Sequence, residues 1–430
     1  MAPTAKERDA ISLAGYTDLD GRPGFKMALQ EVDGTWYMYV AHFWHSGWSV
    51  LDVTDPTDPE LLTYIDGPEN TLTLQVQVAD GTMITSLEKP REGWGLADGP
   101  TMDPTDPHEE GAFIWDVESD PTDPELIGHY RTGGHGTHRN YYTGGRYAYM
   151  ASVAEEYTGR LLEVVDVSDP TSPELASRWW WPGQGPDDEE DPTETYYFHG
   201  PAYVDGDRAY LSYGSVGAII LDVSDPTDPT FRSRLDVGDI GSWLGTHSAI
   251  TIPDTDLMAV NGEAIYEGTP LEHDTGEPLN FVYLVDVSDD GPTGFDGQTF
   301  QGPRIVSSIP FPTPSNSVPY ETYYERPGRF GPHNQHHYRG EDVRLKTNDY
   351  LIMTFFNAGL RIFDISNPLA PFEAGYYVPE DPDERIGTSR PASGLVSQLE
   401  DVVVDSRGYI YCTDPQQGLF VFESDLLDEE

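Results

Sequence analysis

The chain has 430 residues, of which 75 are acidic and 24 are basic, so its formal net charge at pH 7 is −51. Binding to a phosphate backbone needs a basic stripe, which this sequence lacks, and nucleic acid is therefore excluded as a partner. The single cysteine, Cys412, excludes intrachain disulfides and a cysteine-cluster metal site, and no apolar run approaches the roughly 18 residues of a membrane span.

One short motif recurs along the chain at intervals of roughly 50 to 80 residues. It ends an apolar run with an aspartate, and an Asp-Pro corner follows it. The copies are LDVTDP (51–56), WDVESDP (115–121), VDVSDP (165–170), LDVSDP (221–226), VDVSD (285–289), FDISNP (363–368) and a degenerate VFES (421–424). Self-similarity at this period is typical of solenoids and propellers.

Each copy of the motif belongs to a unit of four predicted strands. Two apolar-alternating runs are joined by a tight turn, a third run carries the motif, and a fourth follows the corner. Such a unit is one antiparallel propeller blade. The sequence predicts an all-β, seven-bladed β-propeller as a single domain over 1–430, with four-stranded blades at about 24–66, 72–130, 138–179, 199–236, 247–309, 337–378 and 399–424.

The last repeat contains only three predicted strands. The segment AISLAGY (10–16) resembles the fourth-strand segment ELIGHY (125–130) of the second repeat. We expect this N-terminal segment to complete the seventh blade, because that arrangement closes the ring and removes two exposed sheet edges.

The repeats resemble the LVIVD-repeat family of β-propellers. The resemblance rests on LEVVDVSDP (162–170) and AIILDVSDP (218–226), and related copies cover nearly the whole chain. It implies the propeller architecture and says little about activity, because propellers serve both as scaffolds and as enzymes.

The composition resembles that of proteins from halophilic archaea that accumulate salt, with excess Asp and Glu and only four Lys. A large negative charge destabilises the compact state unless concentrated salt screens it. No targeting or lipidation motif is present. We therefore expect a soluble protein of a high-salt cytoplasm; the alternative is an acidic protein that binds basic partners or calcium.

Three histidines, His138, His199 and His247, open three successive repeats at equivalent positions. Equivalent positions in a cyclic repeat converge on one axis, so we expect these imidazoles to meet there. Glu341 and Glu400 fall in the same register in the sixth and seventh blades. We expect these two carboxylates to act as acid/base groups or to orient the imidazoles.

A second group of histidines directly precedes Glu341. His336 and His337, with His333 beside them, are expected to supply one further imidazole, and the sequence does not say which. Imidazole ligands favour a divalent transition metal, iron first, then copper, zinc or manganese. The set also resembles, in geometry alone, the iron centre of carotenoid-cleaving oxygenases. The alternative is a polar, metal-free channel.

Long predicted loops lie on the face where the histidines begin their strands, and they are rich in aromatic residues. We expect a substrate pocket there, formed by Trp180, Tyr197, Trp243, His45 and Tyr324. Aromatic side chains of this kind suit an organic ligand with apolar surface. The alternative is that they pack the loops against the blades.

Two functions are compatible with these patterns. In the first, the protein is a metal-dependent enzyme acting on a small organic molecule, and an oxidoreductase fits imidazole-rich ligation better than a hydrolase or lyase. In the second, it is a non-catalytic scaffold that presents its long-loop face to a protein partner. No nucleotide-binding or nucleophile-elbow motif is present.

Overall fold

The structure is a computed structural model that describes residues 3–43, 45–90, 102–188, 198–237, 244–265, 280–288, 302–340, 342–384 and 394–427. Seven four-stranded antiparallel sheets follow one another along the chain as the blades of a β-propeller. This confirms the predicted fold class. The helices in the described ranges are three short 3₁₀ turns, and none of them has the length or hydropathy to cross a membrane.

The first four blades each use consecutive strands, counted from the axis outwards. Blade one contains β3 (Met27–Val32), β4 (Thr35–His42), β5 (Gly47–Asp52) and β6 (Glu60–Asp66). Blade two contains β7 (Val76–Ala79), β8 (Thr82–Leu87), β9 (Gly111–Asp116) and β10 (Glu125–Tyr130). Blade three contains β11 (Gly136–Tyr141), β12 (Tyr147–Val153), β13 (Leu161–Asp166) and β14 (Glu174–Trp179). Blade four contains β15 (Ala202–Asp205), β16 (Arg208–Tyr213), β17 (Gly217–Asp222) and β18 (Thr230–Leu235).

The last three blades include the two N-terminal strands, β1 (Ala5–Asp9) and β2 (Ser12–Thr17). Blade five contains β19 (Leu244–Thr251), β20 (Leu257–Glu263), β21 (Val282–Asp286) and β22 (Arg304–Ser308). Blade six contains β23 (Tyr350–Thr354), β24 (Leu360–Asp364), β25 (Phe372–Pro379) and β1. Blade seven contains β26 (Asp401–Val404), β27 (Ile410–Asp414), β28 (Gly418–Glu423) and β2.

The Asp-Pro corners fold by local side-chain chemistry. At the corner of blade one, Oδ1 of Asp55 accepts hydrogen bonds from the amide and the hydroxyl of Thr57, at 3.0 and 2.7 Å. The same pair of bonds joins Asp225 to Thr227 in blade four. An aspartate that bonds the backbone two residues later, next to a proline that fixes φ, gives a tight turn. The repeated motif therefore encodes the same corner in blades one to four.

These corners also join neighbouring blades. Ser177, in the outer strand β14, donates a 2.7 Å hydrogen bond to the carbonyl of Pro226, at the corner of the following blade. At the corresponding place in β2, a Cβ added to Gly15 would lie 2.2 Å from the carbonyl oxygen of Pro56, so only glycine fits there. Contacts of this kind join the outer strand of one blade to the corner of the following blade.

The N-terminal segment closes the ring, as the sequence predicts. β2 pairs with β28 from Ser12↔Glu423 to Thr17↔Leu419. A second pairing of the N-terminal segment was not expected: β1 pairs with β25 and adds a further strand at the outer edge of blade six. The segment AKERD has no apolar alternation that would mark it as a strand, because its side chains are mostly polar and partly exposed.

The inner edge of blade six differs from the prediction, which began this blade at 337 and aligned Glu341 with the axial histidines. The segment that pairs with β23 contains His333 to His336. The amide of His333 donates to the carbonyl of Thr354 at 2.9 Å, and Gln335 bridges Met353. The alignment was wrong because this segment is irregular and a 12-residue connection, 338–349, follows it before β23 begins.

Candidate functional site

The three histidines that open successive repeats meet at the propeller axis. Nε2 of His138 lies 3.3 Å from Nε2 of His199, and the ring centroids of His199 and His247 are 4.4 Å apart. All three side chains are largely or fully buried. The sequence predicted this convergence from the repeat alone.

His333 supplies the fourth imidazole. Its ring centroid lies 4.7 Å from that of His247, and its other face stacks on Phe356 at 4.4 Å. The amides of His199 and His333 bond equivalent positions of their second strands, the carbonyls of Ser212 and Thr354. His333 thus occupies the axial register that the sequence analysis gave to Glu341.

Glu263 lies among these rings. Its Oε2 is 3.7 Å from Nε2 of His199 and 3.6 Å from Nε2 of His247, and its Oε1 is 3.7 Å from Nε2 of His333. The donor atoms of His199, His247 and Glu263 lie within 4.8 Å of one another, which is compact enough for shared binding of one ion.

The Nδ1 atoms of His138 and His333 form hydrogen bonds with a carboxylate and with a backbone oxygen, respectively. Nδ1 of His138 lies 2.6 Å from Oε2 of Glu88, whose other oxygen accepts from Arg160. Nδ1 of His333 lies 2.6 Å from the carbonyl of Glu400. These acceptors place the ring proton on Nδ1 and leave the Nε2 lone pair directed at the cluster.

Glu400, predicted as an acid/base or orienting group, is buried beside His333. Its Oε1 accepts from Arg329 at 2.7 Å, and its Oε2 lies 3.3 Å from Nδ1 of His333. Arg329 also donates to Glu263 at 2.8 Å, so one guanidinium bridges two carboxylates of the site. The geometry gives Glu400 a contact to a ring, and its catalytic role stays a prediction.

A buried guanidinium enters the ring of imidazoles. Nη1 of Arg139 lies 3.2 Å from Nδ1 of His199 and 3.0 Å from Nε2 of His247, and Nη2 donates to Asn334 at 2.7 Å. His247 donates from Nδ1 to Ser248 and accepts from Arg139 at Nε2. His199 has the opposite tautomer, because its Nδ1 accepts and its Nε2 carries the proton.

The cluster holds three of its histidines, His199, His247 and His333, in the neutral form. Burial lowers the pKa of His199, His247 and His333 well below the ordinary value, and the nearby guanidinium of Arg139 lowers each of them further. Neutral imidazole is the form that binds a metal ion.

His336 and His337 lie outside the four-histidine cluster. Nε2 of His336 donates to the carbonyl of Leu345 at 2.9 Å and its Nδ1 accepts from the amide of Val404 at 3.1 Å, so both nitrogens are used by the backbone. His337 packs against Tyr203, with ring centroids 4.5 Å apart. Of the three histidines that the sequence left open for the further imidazole, His333 is the one at the cluster.

The described members of the predicted substrate pocket make packing contacts. Trp180 packs edge-on against Tyr157 at 5.1 Å, and Tyr324 packs against Phe330 at 4.8 Å. His45 is half-buried in the β4–β5 turn, where its carbonyl accepts from Tyr64. These three residues are not brought to the cluster by any contact among the described residues. Tyr197, Trp243 and Glu341 lie outside the residues that the structure describes.

The sequence analysis missed Glu88, Glu263 and Arg139. A signal for the two glutamates exists: each stands six residues after the first residue of its second strand, Thr82 and Leu257, and these pair with the motif aspartates of their blades. Arg139 has no such signal, since it directly follows His138 and only the fold shows where its guanidinium points.

Comparisons with known proteins agree with the architecture. The family model described as "LVIVD repeat" matches residues 34–66, 143–179, 203–237 and 341–378, which lie in the first, third, fourth and sixth blades. No curated protein sequence matches the chain at a significant level.

Solved propeller structures superpose on most of the chain at low identity. The β-propeller domain of Cps50 (Swd1) from Myceliophteria thermophila has 10% identity and a TM-score of 0.50, covering 94% of this chain and 98% of that one. A putative 6-phosphogluconolactonase from Bacteroides fragilis has 11% identity, a TM-score of 0.52, and coverage of 89% and 88%. The WD40 repeats of RRP9 have 8% identity, a TM-score of 0.53, and coverage of 97% and 100%.

At such identities these similarities concern the fold alone. The chain is a seven-bladed β-propeller that carries LVIVD repeats in four of its blades.

Proposed function

We propose that the axial cluster binds one divalent transition metal and that the protein is a metal-dependent enzyme acting on a small organic substrate. The observation that carries this proposal is the convergence of three imidazoles, from His199, His247 and His333, around the carboxylate of Glu263, with His138 beside His199. When bound, such a metal activates water or dioxygen or polarises a carbonyl.

The spacing of the donor atoms fits a metal ion. Ligand atoms about 2.1 Å from a metal lie about 3.0 Å apart at adjacent octahedral positions and about 3.4 Å apart in a tetrahedron. The 3.3 Å separation between His138 and His199 lies within this range. The separations of 3.6 and 3.7 Å from Glu263 to His247 and His199 are slightly wider. A small inward movement of these side chains closes the difference.

The rings of His138, His247 and His333 are oriented as metal-bound imidazoles usually are, with Nδ1 held by an oxygen acceptor. His199 is the exception. Arg139 donates to its Nδ1, which leaves the proton on Nε2. Metal binding therefore requires Arg139 to withdraw. Its withdrawal frees Nε2 of His247 and lets the proton of His199 move to Nδ1, so that Nε2 of His199 offers its lone pair.

The residues around the metal position would orient the histidine ligands and neutralise the nearby carboxylates. Glu88 and Glu400 hold His138 and His333 in place. Arg160 and Arg329 neutralise those carboxylates. An oxidoreductase is favoured over a hydrolase or lyase because imidazole-rich sites suit redox-active iron and copper. We expect iron first, then copper, zinc or manganese.

One observation favours a second candidate, a non-catalytic propeller that contacts a protein partner through its long-loop face. The carboxylate of Glu88 pairs with Arg160, those of Glu263 and Glu400 pair with Arg329, and Arg139 adds a third guanidinium beside the imidazoles. In that case the cluster is a neutral hydrogen-bonded core of the channel.

Metal analysis of protein purified in concentrated salt decides between the two. We expect about one equivalent of a transition metal per chain, lost in His199→Ala and in Glu263→Gln. His129→Asn, which changes a half-buried histidine of the outer strand β10, is the matched control and retains the metal. A content below about 0.2 equivalents, after reconstitution with iron, copper, zinc and manganese in turn, overturns the metal proposal.

A further inference from the structure

A second polar cavity lies on the axis beyond the histidine cluster. Residues three or four positions after His138, His199 and His333 line the cavity. They include Tyr141, which follows His138, Tyr203, which follows His199, and His337, which follows His333. Arg139 is shared by the cavity and the histidine cluster, since it lines the cavity and donates a hydrogen bond to His247.

The sign of charge in this cavity is opposite to that of the protein. The chain has 75 acidic and 24 basic residues. The cavity nevertheless is lined by four cations, Lys26, Arg139, Arg339 and Arg344, whereas Asp401 is the one carboxylate among its described lining residues. Asp401 is itself bound to Lys26 at 2.7 Å. Four of the few basic residues are thus gathered at one buried place.

Two polar atoms in the wall of the cavity have no hydrogen-bond partner among the described residues. Nδ1 of His337 and Nε of Arg139 are both buried and lack a hydrogen-bond partner there. The two side chains are at most 8% exposed. Leaving such atoms unsatisfied is costly unless something else bonds them.

We propose that this cavity binds a small oxyanion, a carboxylate or a phosphate. Guanidinium groups present several donors in a planar fork that matches an oxyanion, and a buried site strengthens each charge-assisted bond. Tyr203, whose ring lies 4.5 Å from that of His337, adds a hydroxyl to the same wall. An anion bound in the cavity reduces the electrostatic repulsion among the guanidinium groups of Arg139, Arg339 and Arg344.

Binding is measured by calorimetric titration of the full chain with inorganic phosphate, and separately with malonate, at fixed KCl concentration. We expect saturable binding of at least one of the two, and the stronger ligand identifies the oxyanion. Arg344→Gln should weaken this binding by about tenfold or more, since it removes a charge-assisted hydrogen bond. Arg146→Gln, which changes an exposed arginine paired with Asp166, is the matched control.

Tyr203→Phe provides a second variant that keeps the packing of the ring. It should weaken binding by a few-fold while the unfolding temperature stays near that of the parent chain. Absence of saturable binding of either anion overturns the proposal, as does equal affinity in the parent chain and both cavity variants. Metal content is recorded in parallel and is expected to be unchanged, so failure here is distinct from failure of the metal proposal.

Discussion

The Nη1 atom of Arg139 lies 3.0 Å from Nε2 of His247, so a fully buried cation donates a hydrogen bond into the ring of imidazoles. A metal ion requires the same nitrogen lone pair and carries the same sign of charge. Arg139 and a metal therefore compete for one position, and the affinity of the site depends on where this side chain points.

Replacing Arg139 tests this competition. The substitution Arg139→Met removes the repulsion between the guanidinium and a metal ion. Both His199 and His247 can then present Nε2 to the metal. We expect the metal affinity, measured by competition with a chelator, to rise by about tenfold or more. Arg146→Met is the surface control. A weaker metal affinity in Arg139→Met would show instead that the guanidinium organises the site.

The N-terminal strand should contribute much of the stability, because β2 closes the ring. Ile11 is 2% exposed, and Tyr16 packs against Phe420 with ring centroids 5.2 Å apart. Deletion of residues 1–18 should lower the free energy of unfolding by about 4–8 kcal/mol. Deletion of residues 1–10, which removes β1 only, should cost less. Equal urea midpoints for the two deletions would contradict the closure argument.

Asp414 should make stability depend on pH. Burial raises its pKa to about 7, although it accepts bonds from Ser397, Gln398 and Gln416. Because the folded pKa lies above the unfolded value, the folded state binds more protons between about pH 4 and 7. The stabilisation that protonated Asp414 gives the folded state is present below pH 4 and is lost as the pH rises to 7.

The variant Asp414→Asn isolates this contribution. Between pH 4 and 7, the free energy of unfolding of the parent chain should fall relative to that of the variant by on the order of 3 kcal/mol. The measurement is urea unfolding at several pH values. Parallel pH profiles for the two proteins would mean that Asp414 is ionised in the fold throughout this range.

Salt should stabilise the protein strongly because of its net charge of −51. The screening length falls from about 10 Å at 0.1 M salt to about 3 Å at 1 M. We expect the thermal unfolding midpoint to rise steadily between 0.1 and 2 M KCl, and to rise by a similar amount when NaCl replaces KCl, since both salts screen charge equally. The same midpoint across this range would argue against charge repulsion as the main destabilising force.

The sequence by itself determined the seven blades, the corners and the ring closure by β2. These features depend on alternation of apolar residues over a few positions and on Asp, Thr and Pro at fixed spacing, which act locally. It also determined that His138, His199 and His247 meet, since cyclic symmetry carries one position of the repeat to the axis. Cys412, predicted in a strand, is buried in β27.

The tertiary structure decided what lies around those histidines. His333 replaces Glu341 in the register because the irregular inner segment of blade six pairs with β23 earlier than the repeat suggests. Glu263 and Arg139 reach the cluster through the directions of their side chains, and most of their partners are about 60 to 200 residues away in sequence. Such contacts depend on how the blades are placed around the axis, which no local pattern encodes.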